Sequence, residues 1–492
     1  MKKIFTFFTV AVLGLSLTAC KDYLDINYDP NNPSADVVNN DMILPAAEMA
    51  LSAKYGDIMR IYGAYLAEHY AQYFGTSNYD DFGKFILSAT RSNNPYSTIM
   101  PGCIGNATVI REKAAAAEQW GTYLAATVLR VFAFQAMADA YGEIPYSEAM
   151  DANNLNPKYD EGQEIYAGLV AELDEALSKV SPSDVVATNF LYSGQTVAPW
   201  IKFANALKLK LLMRESGVVN VSSQLASLIN EGNFPESDVA WAGIWANESG
   251  KANPFWQEEF STSFGSTQIN CGLNVALFRA MSDYDDARLP AFFTKNGNGV
   301  YWGSISGFNM STSSNYKAAA FCRPNMAYNS PVYLITRSEI EFFLSEYYMT
   351  AGNADQAKAH YEAAIKASFA SAGVDGADAA IAAWPYDGSK KCIGVQKWIA
   401  LSGTNNFEAW CEMRRLGYPA FGGKSANDIY SGDTLDPEVL TPGDLYTPWE
   451  VTPDVGANQL LQRWPYPQSS SNYNANAPET NKKPTEKVFW AK

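Results

Sequence analysis

From Leu44 to Tyr73 apolar residues recur at three- and four-residue spacing (Leu51, Tyr55, Ile58, Tyr62, Tyr65, Leu66), which predicts one long amphipathic helix. Gln119 to Tyr141 is apolar nearly all round, through Leu124, Val128, Leu129, Phe132, Phe134 and Met137. A helix with no wet face belongs at the centre of a core. Gly142 stops it and Pro145 prevents its resumption. Glu164 to Val180 alternates acidic positions with Ile165, Leu169, Leu173 and Leu177, and Trp200 to Arg214 forms another helix carrying Lys202, Lys208 and Lys210. Between Asn233 and Pro331 the helical period is lost. Gly, Asn, Ser and Thr there mix with Trp241, Trp245, Phe255, Trp256, Phe264, Tyr301, Trp302 and Phe308, which predicts loops with a few short strands. Helix returns at Arg337 to Thr350, turns at Ala351-Gly352-Asn353, and runs again from Asp355 to Phe369. Ala357, Tyr361, Ala364 and Ile365 share the inner face, and small residues at the crossing make this a tetratricopeptide-like hairpin. The 119–180 and 198–231 pairs are looser versions. A last helix, Gly394 to Leu416, precedes a tail rich in Pro, Gly and Asp that runs to Trp490.

The pattern therefore predicts a mostly α fold. A tetratricopeptide-like helical-pair scaffold, about residues 40–231 and 331–420, carries a loop-rich ligand-binding region with a few short strands, about 232–330 and 421–492. No low-complexity linker separates the periodic segments, so one large structure or two interleaved lobes fits better than a string of domains.

The first twenty residues change the picture of where the protein works. A basic head, Met1-Lys2-Lys3, precedes an uncharged run from Ile4 to Leu17 that closes on Leu17-Thr18-Ala19-Cys20. The run is too short for a membrane span, which needs about 20 apolar residues, and has the layout of a signal peptide. Small residues before a cysteine suit a lipoprotein signal peptidase. This predicts a signal peptide over 1–19 and lipidation of Cys20, with two or three acyl chains anchoring the chain at about 0.8 kcal/mol per buried methylene. Residues 20–492 form the remaining domain, touching the membrane through that anchor only.

Removal of Lys2 and Lys3 leaves 34 basic against 52 acidic residues, a net charge near −18. Such a surface disfavours nucleic acid and anionic membrane and identifies no ligand. Five cysteines remain (Cys103, Cys271, Cys322, Cys392, Cys411), odd in number and without a C-x-x-C pair, beside only two histidines, His69 and His360. They read as buried thiols rather than a disulfide framework or a zinc site, with one long-range disulfide left open. No cofactor is expected. Asp25-x-Asn27-x-Asp29 imitates the start of a calcium loop, but Pro30 stands where glycine is needed and no acid closes the loop. A structural calcium ion held by backbone carbonyls elsewhere stays open. Arg414-Arg415 beside Glu408 and Glu412 reads as salt bridges within and between helices, not as chemistry.

A ligand with apolar faces and a polar rim is held by an exposed aromatic platform with hydrogen-bonding groups at its edge. Two segments have that composition, Phe74-Gly-Thr-Ser-Asn-Tyr-Asp-Asp-Phe82 and Tyr301-Trp302-Gly-Ser-Ile-Ser-Gly-Phe308.

Several stretches, in order and spacing, carry a resemblance. They are Cys20-Lys-Asp-Tyr-Leu-Asp-Ile-Asn-Tyr-Asp-Pro-Asn-Asn-Pro33, Tyr141-Gly-Glu-Ile-Pro-Tyr-Ser-Glu148, Asp285-Asp-Ala-Arg-Leu-Pro290 and Ser330-Pro331. The Arg337–Gly352 helix, Gln396-Lys-Trp-Ile-Ala-Leu401, Glu408-Ala-Trp-Cys-Glu-Met-Arg-Arg-Leu-Gly-Tyr-Pro419 and Arg463-Trp-Pro-Tyr-Pro467 complete the set. Over essentially its whole length the chain resembles the SusD/RagB outer-membrane lipoproteins of the Bacteroidetes. The resemblance implies four tetratricopeptide-like helical pairs carrying a loop-rich ligand face, an outer-membrane, cell-exterior location, and a lid role over a SusC-like TonB-dependent transporter. The lid captures oligosaccharides, or peptides in some members, and has no catalytic residues. It also implies ligand loops in these two aromatic regions, and within them the composition points to Trp302 and Tyr301 as platform, Tyr79, Asp80 and Asn78 as polar rim, and Phe308 as a further ligand-binding residue. The alternatives are burial of Tyr301 and Trp302 as core, a surface glycosidase with two carboxylates about 5 to 9.5 Å apart, or a pure scaffold whose hairpins bind a partner protein.

Overall fold

The computed structural model describes residues 38–73, 78–260, 270–308, 320–479 and 481–491. The signal segment, Cys20, the Asp25–Asp29 stretch, Phe74 and Phe264 lie outside the described residues.

The principal helices of the front half are α1 (Asn40–Lys54), α2 (Arg60–Leu66), α3 (Ala89–Ile99), α4 (Asn106–Ala116), α5 (Trp120–Tyr141), α6 (Gly162–Lys179), α7 (Ala198–Glu215) and α8 (Ser222–Glu231). The second half supplies α9 (Arg337–Thr350), α10 (Ala354–Ala372), α11 (Lys390–Ser402) and α12 (Asn406–Leu416). Neighbouring helices pack as pairs, α4 on α5, α5 on α6, α7 on α8, α9 on α10 and α11 on α12. α5 is buried along nearly its whole length, as its all-round apolar sequence requires. In the α9–α10 hairpin, Ala357, Tyr361, Ala364 and Ile365 are all buried. Ser338 and Ser345 of α9 donate from their hydroxyls to the Ala364 and Ala357 carbonyls across the crossing, both at 2.8 Å. Small residues bring the backbones close enough for those bonds.

Strands are short: β1 (Tyr70–Gln72), β2 (Val239–Trp241), β3 (Cys271–Leu273), β4 (Val332–Ile335), β5 (Phe421–Ser425), β6 (Tyr430–Ser431), β7 (Thr434–Leu435) and β8 (Leu445–Thr447). They pair β1–β3, β2–β4 and β6–β7 antiparallel and β5–β8 parallel.

Three local expectations are corrected. The helix read from Leu44 to Tyr73 passes through a π turn at Tyr55–Met59 and ends at Leu66. Glu68 takes a φ of 52°, the Trp398 indole donates to the Ala67 carbonyl at 2.8 Å, and Tyr70–Gln72 leaves as β1 to pair with β3. Tertiary partners thus consume the groups that would have continued the helix. The single helix read from Gly394 to Leu416 is two, α11 and α12. A side chain at Gly403 would collide with the Phe292 ring, and Asn405 caps the new helix by accepting the Glu408 amide at 3.2 Å. Val275–Ser282, inside the stretch read as loops with short strands, is a helix of eight residues, too short to show a long apolar stripe, while α3 and α4 fall within the predicted 40–231 scaffold.

A buried ionic network ties these helices together. Lys210 and Arg214 on α7 meet Glu339 on α9, Glu408 and Glu412 on α12 and Asp139 on α5. Glu412 also holds Lys397 at 2.7 Å and Arg415 at 2.7 Å, and Arg415 reaches Glu346 at 2.5 Å. The predicted ion-pair role of Arg415 is met. Arg414 instead donates to the Gln462 and Asp139 carbonyls at 2.6 and 2.9 Å, and the Trp490 indole donates to Asp139, so the tail is locked to the core. The five cysteines after Cys20 are free and buried. Burial lowers the pKa of His69 to about 3, which keeps the imidazole neutral beside Trp398.

Candidate ligand-binding face

The end of α2 and the β1–β3 pair carry the loop that contains Tyr301–Phe308. Asn274, just after β3, donates from its side chain to the Tyr70 carbonyl at 3.3 Å and to the Ser306 hydroxyl at 2.9 Å. Ser304 bridges Asn274, and the Ser306 amide donates to the Tyr446 hydroxyl at 2.7 Å. Tyr446 belongs to β8, and its own amide donates to the buried Glu68 carboxylate at 3.3 Å. Burial raises the Glu68 pKa well above the ordinary carboxylate range, although the Tyr446 amide works against the shift. Scaffold, loop and tail are thereby fixed to one another by hydrogen bonds between buried polar groups.

The two aromatic segments meet at a pair of glycines. The Gly307 amide donates to the Gln72 side chain at 3.0 Å, and an added side-chain carbon on Gly83 would collide with Gln72 and approach the Gly307 amide at 2.6 Å. Gly307 has a φ of 85°, and a side chain there would strike the Trp449 carbonyl. The Trp449 amide donates to the Ser306 carbonyl at 2.9 Å. The next ring along the loop, Phe308, then lies 4.8 Å from Trp449 and 5.1 Å from Tyr430, with Tyr430 and Trp449 6.1 Å apart. Phe308 and Trp449 are half-buried and Tyr430 nearly buried, which leaves one mixed aromatic patch at the surface. Its edge is polar. Lys84 pairs with Glu450 at 2.7 Å, the Tyr430 hydroxyl donates to Asp433 at 2.7 Å, and Asp80 and Asp81 open the short helix that ends at Gly83. Asp80 is half-exposed, and burial raises its pKa while Lys84 lowers it.

Of the residues singled out by sequence, Phe308, Asn78 and Asp80 lie in these two abutting segments, with Asn78 exposed. Tyr79 does not serve as rim. It is 2% exposed, stacked on Phe82 at 5.3 Å, and its hydroxyl hydrogen-bonds the Glu259 carboxylate. The preceding Asn78 points outward, and the aromatic ring is the group the core captures. Tyr301 and Trp302 sit at the far end of the loop. Trp302 is half-buried 5.7 Å from Phe278, its amide directed at the Cys322 sulfur at 3.2 Å, and Lys295 lies 5.7 Å from the Tyr301 ring. Among the described residues no ring contact joins them to Phe308, so the three do not form a single platform. Sequence reasoning missed Trp449 and Tyr430, whose only local signal was aromatic residues inside a Pro- and Gly-rich tail. Among the described residues no cluster of three or more His, Cys, Asp or Glu could hold a metal ion.

A family model described as SusD-like, starch-binding and associating with the outer membrane matches residues 34–435. The chain belongs to the SusD-like family. Solved structures agree on the fold of this SusD-like protein. A SusD homologue from Bacteroides uniformis superposes with a TM-score of 0.74 at 22% identity, over 94% of this chain and 100% of that one. A chitin-binding protein gives 0.73 at 21% identity over 92% and 100%. A SusD homologue from Bacteroides thetaiotaomicron gives 0.70 at 18% identity over 92% and 99%. No curated protein matches the sequence. The family is one of outer-membrane-associated binding proteins, and among the described residues no helix is long and apolar enough to cross a membrane.

Proposed function

We propose that this SusD-like protein is a lipid-anchored, cell-surface capture protein, attached through Cys20, that binds oligosaccharide nutrients and passes them to a SusC-like TonB-dependent transporter. It performs no chemistry on its cargo. The observation that carries the reading is the joining of two loop segments and the tail, at Gly83 and Gly307, into a surface patch of Phe308, Tyr430 and Trp449 edged by hydrogen-bonding groups. Stacking one sugar face against the half-buried Trp449 removes about 100 Å² of apolar surface, worth roughly 2.5 kcal/mol before ordering losses. One such contact supports millimolar to micromolar affinity, which suits a protein that must release what it captures.

Calorimetric titration of residues 20–492 against plant, host and microbial oligosaccharides, with Trp449→Ala and Trp302→Ala in parallel, tests the reading. Saturable binding that Trp449→Ala weakens about thirtyfold, the equivalent of ~2 kcal/mol, supports it. Binding lost only with Trp302→Ala moves the site to the other end of the loop, and binding of peptides alone replaces the ligand class.

A further inference from the structure

We infer that this face selects its glycan by charge, taking neutral oligosaccharides and amino sugars that carry an ammonium and rejecting chains that bear uronate groups. The inference rests on glycan capture at the Phe308–Trp449 patch and adds the class of glycan.

Four carboxylates stand in the segments that build the patch. Glu450 follows Trp449 directly and hydrogen-bonds its side chain, Asp433 accepts the Tyr430 hydroxyl, and Asp80 and Asp81 stand on the helical turn whose Gly83 abuts Gly307. The described cations in the same segments are Lys84 and Arg91. Both are engaged, Lys84 by Glu450 at 2.7 Å and Arg91 by the Asn78 carbonyl at 3.0 Å, with its guanidinium 5.4 Å from the Phe82 ring centroid. By sequence, residues 74–77 and 309–319 contain one further charge, Lys317, so acids exceed cations wherever that side chain lies. The surrounding field has the same sign, since the whole chain carries a net charge of −16.

The chemistry of the two ligand classes then differs. A carboxylate is an acceptor only, so it matches the hydroxyls of a neutral sugar and the ammonium of an amino sugar, both of which donate. A uronate offers fewer donors at its charged group and brings a like charge to a surface where the described ammonium, Lys84, is already paired with Glu450. Repulsion of this kind is screened over about 8 Å at physiological salt and over about 30 Å at 10 mM, so the discrimination must be salt-dependent.

Cellotetraose and maltotetraose, the counterparts of each with every C6 hydroxyl oxidised to a carboxylate, and chitosan tetraose are titrated into residues 20–492 at low and at high salt. The expected result is uronate binding at least tenfold weaker than its neutral parent at low salt, chitosan tetraose at least as tight as cellotetraose, and both gaps shrinking at high salt. Asp81→Lys raises the ratio of uronate to neutral affinity several-fold at low salt. Uronates that bind as tightly as their parents, with no salt dependence, overturn charge selection and leave glycan capture standing. Binding that appears only with uronates also overturns it. If none of these sugars binds and the full plant, host and microbial panel is silent as well, glycan capture at this face fails and the charge rule fails with it.

Discussion

Substitution of Glu412 by Gln removes one charge from the middle of the buried network while leaving the shape nearly unchanged. Glu412 is 3% exposed and is shared by Lys397 at 2.7 Å, Arg415 at 2.7 Å and Arg214 at 3.2 Å. The variant leaves three buried cations short of a counter-charge, although Arg214 keeps Asp139 and Glu408 and Arg415 keeps Glu346. Breaking a buried pair from one side destabilises by about 3 to 5 kcal/mol because the uncompensated charge remains in a low-dielectric interior. At about 2 cal/mol/K per residue over about 470 residues, the unfolding entropy is roughly 1 kcal/mol/K, so ~4 kcal/mol corresponds to a fall of about 4 °C in Tm. The pH dependence follows from the carboxyl itself. Burial would raise its pKa, but Arg415, Lys397 and Arg214 outweigh burial and hold it well below 4.5. A depressed folded pKa means that the stabilisation is complete above the unfolded value and fades as pH falls through the folded one. Thermal unfolding of Glu412→Gln, followed by far-UV circular dichroism from pH 7 downward, reads both effects. Lys208→Ala, which breaks a surface pair with Asp174, is the control and shifts Tm by less than 1 °C. A Glu412→Gln shift no larger than that control, or one that grows toward acid, refutes the reasoning.

Three further outcomes follow from other parts of the molecule. Glu48 is fully buried and accepts the Phe190 and Leu191 amides, and burial pushes its pKa up from 4.5 to about 7. A raised folded pKa makes its contribution complete below 4.5 and lost as pH rises through 7. Glu48→Gln should therefore match the wild type near pH 4.5 and exceed it at about pH 8 by up to ~3 kcal/mol in urea unfolding, and a gap that stays constant across that range contradicts the assignment. Gly307→Ala places a side-chain carbon against the Trp449 carbonyl at a positive φ, so it should lower stability by about 1 to 3 kcal/mol and weaken glycan binding together. Unchanged affinity would separate the patch from the ligand. The proposed acylation of Cys20 predicts that Cys20→Ser leaves the membrane fraction in immunoblots of cell fractions, and a variant that stays with the membrane contradicts it.

The helical scaffold was legible because its helices are long and their burial is periodic. α5 begins at Trp120 and ends at Tyr141, within a residue of the pattern, and the α9–α10 hairpin appears with its small-residue crossing intact. What the pattern lost depends on partners distant in sequence. The stop at Leu66 is written in Trp398 and Tyr446, and the break between α11 and α12 in the Phe292 ring packed on Gly403. The candidate face was legible in half. Both aromatic segments meet, but composition could not say which rings face outward. Tyr79 turned inward to Phe82 and Glu259 while Asn78 stayed exposed. Trp449 reaches Phe308 through the tail, about 140 positions later in the chain, at a separation where local periodicity carries no signal.

The most direct test of glycan capture at this face is a crystal structure of residues 20–492 with the tightest-binding oligosaccharide from the titrations. The account predicts a sugar ring stacked on Trp449 beside Phe308, with hydroxyls donating to carboxylates among Asp80, Asp433 and Glu450. A sugar seated on Tyr301 and Trp302 instead, with the Trp449 patch bare, would contradict it.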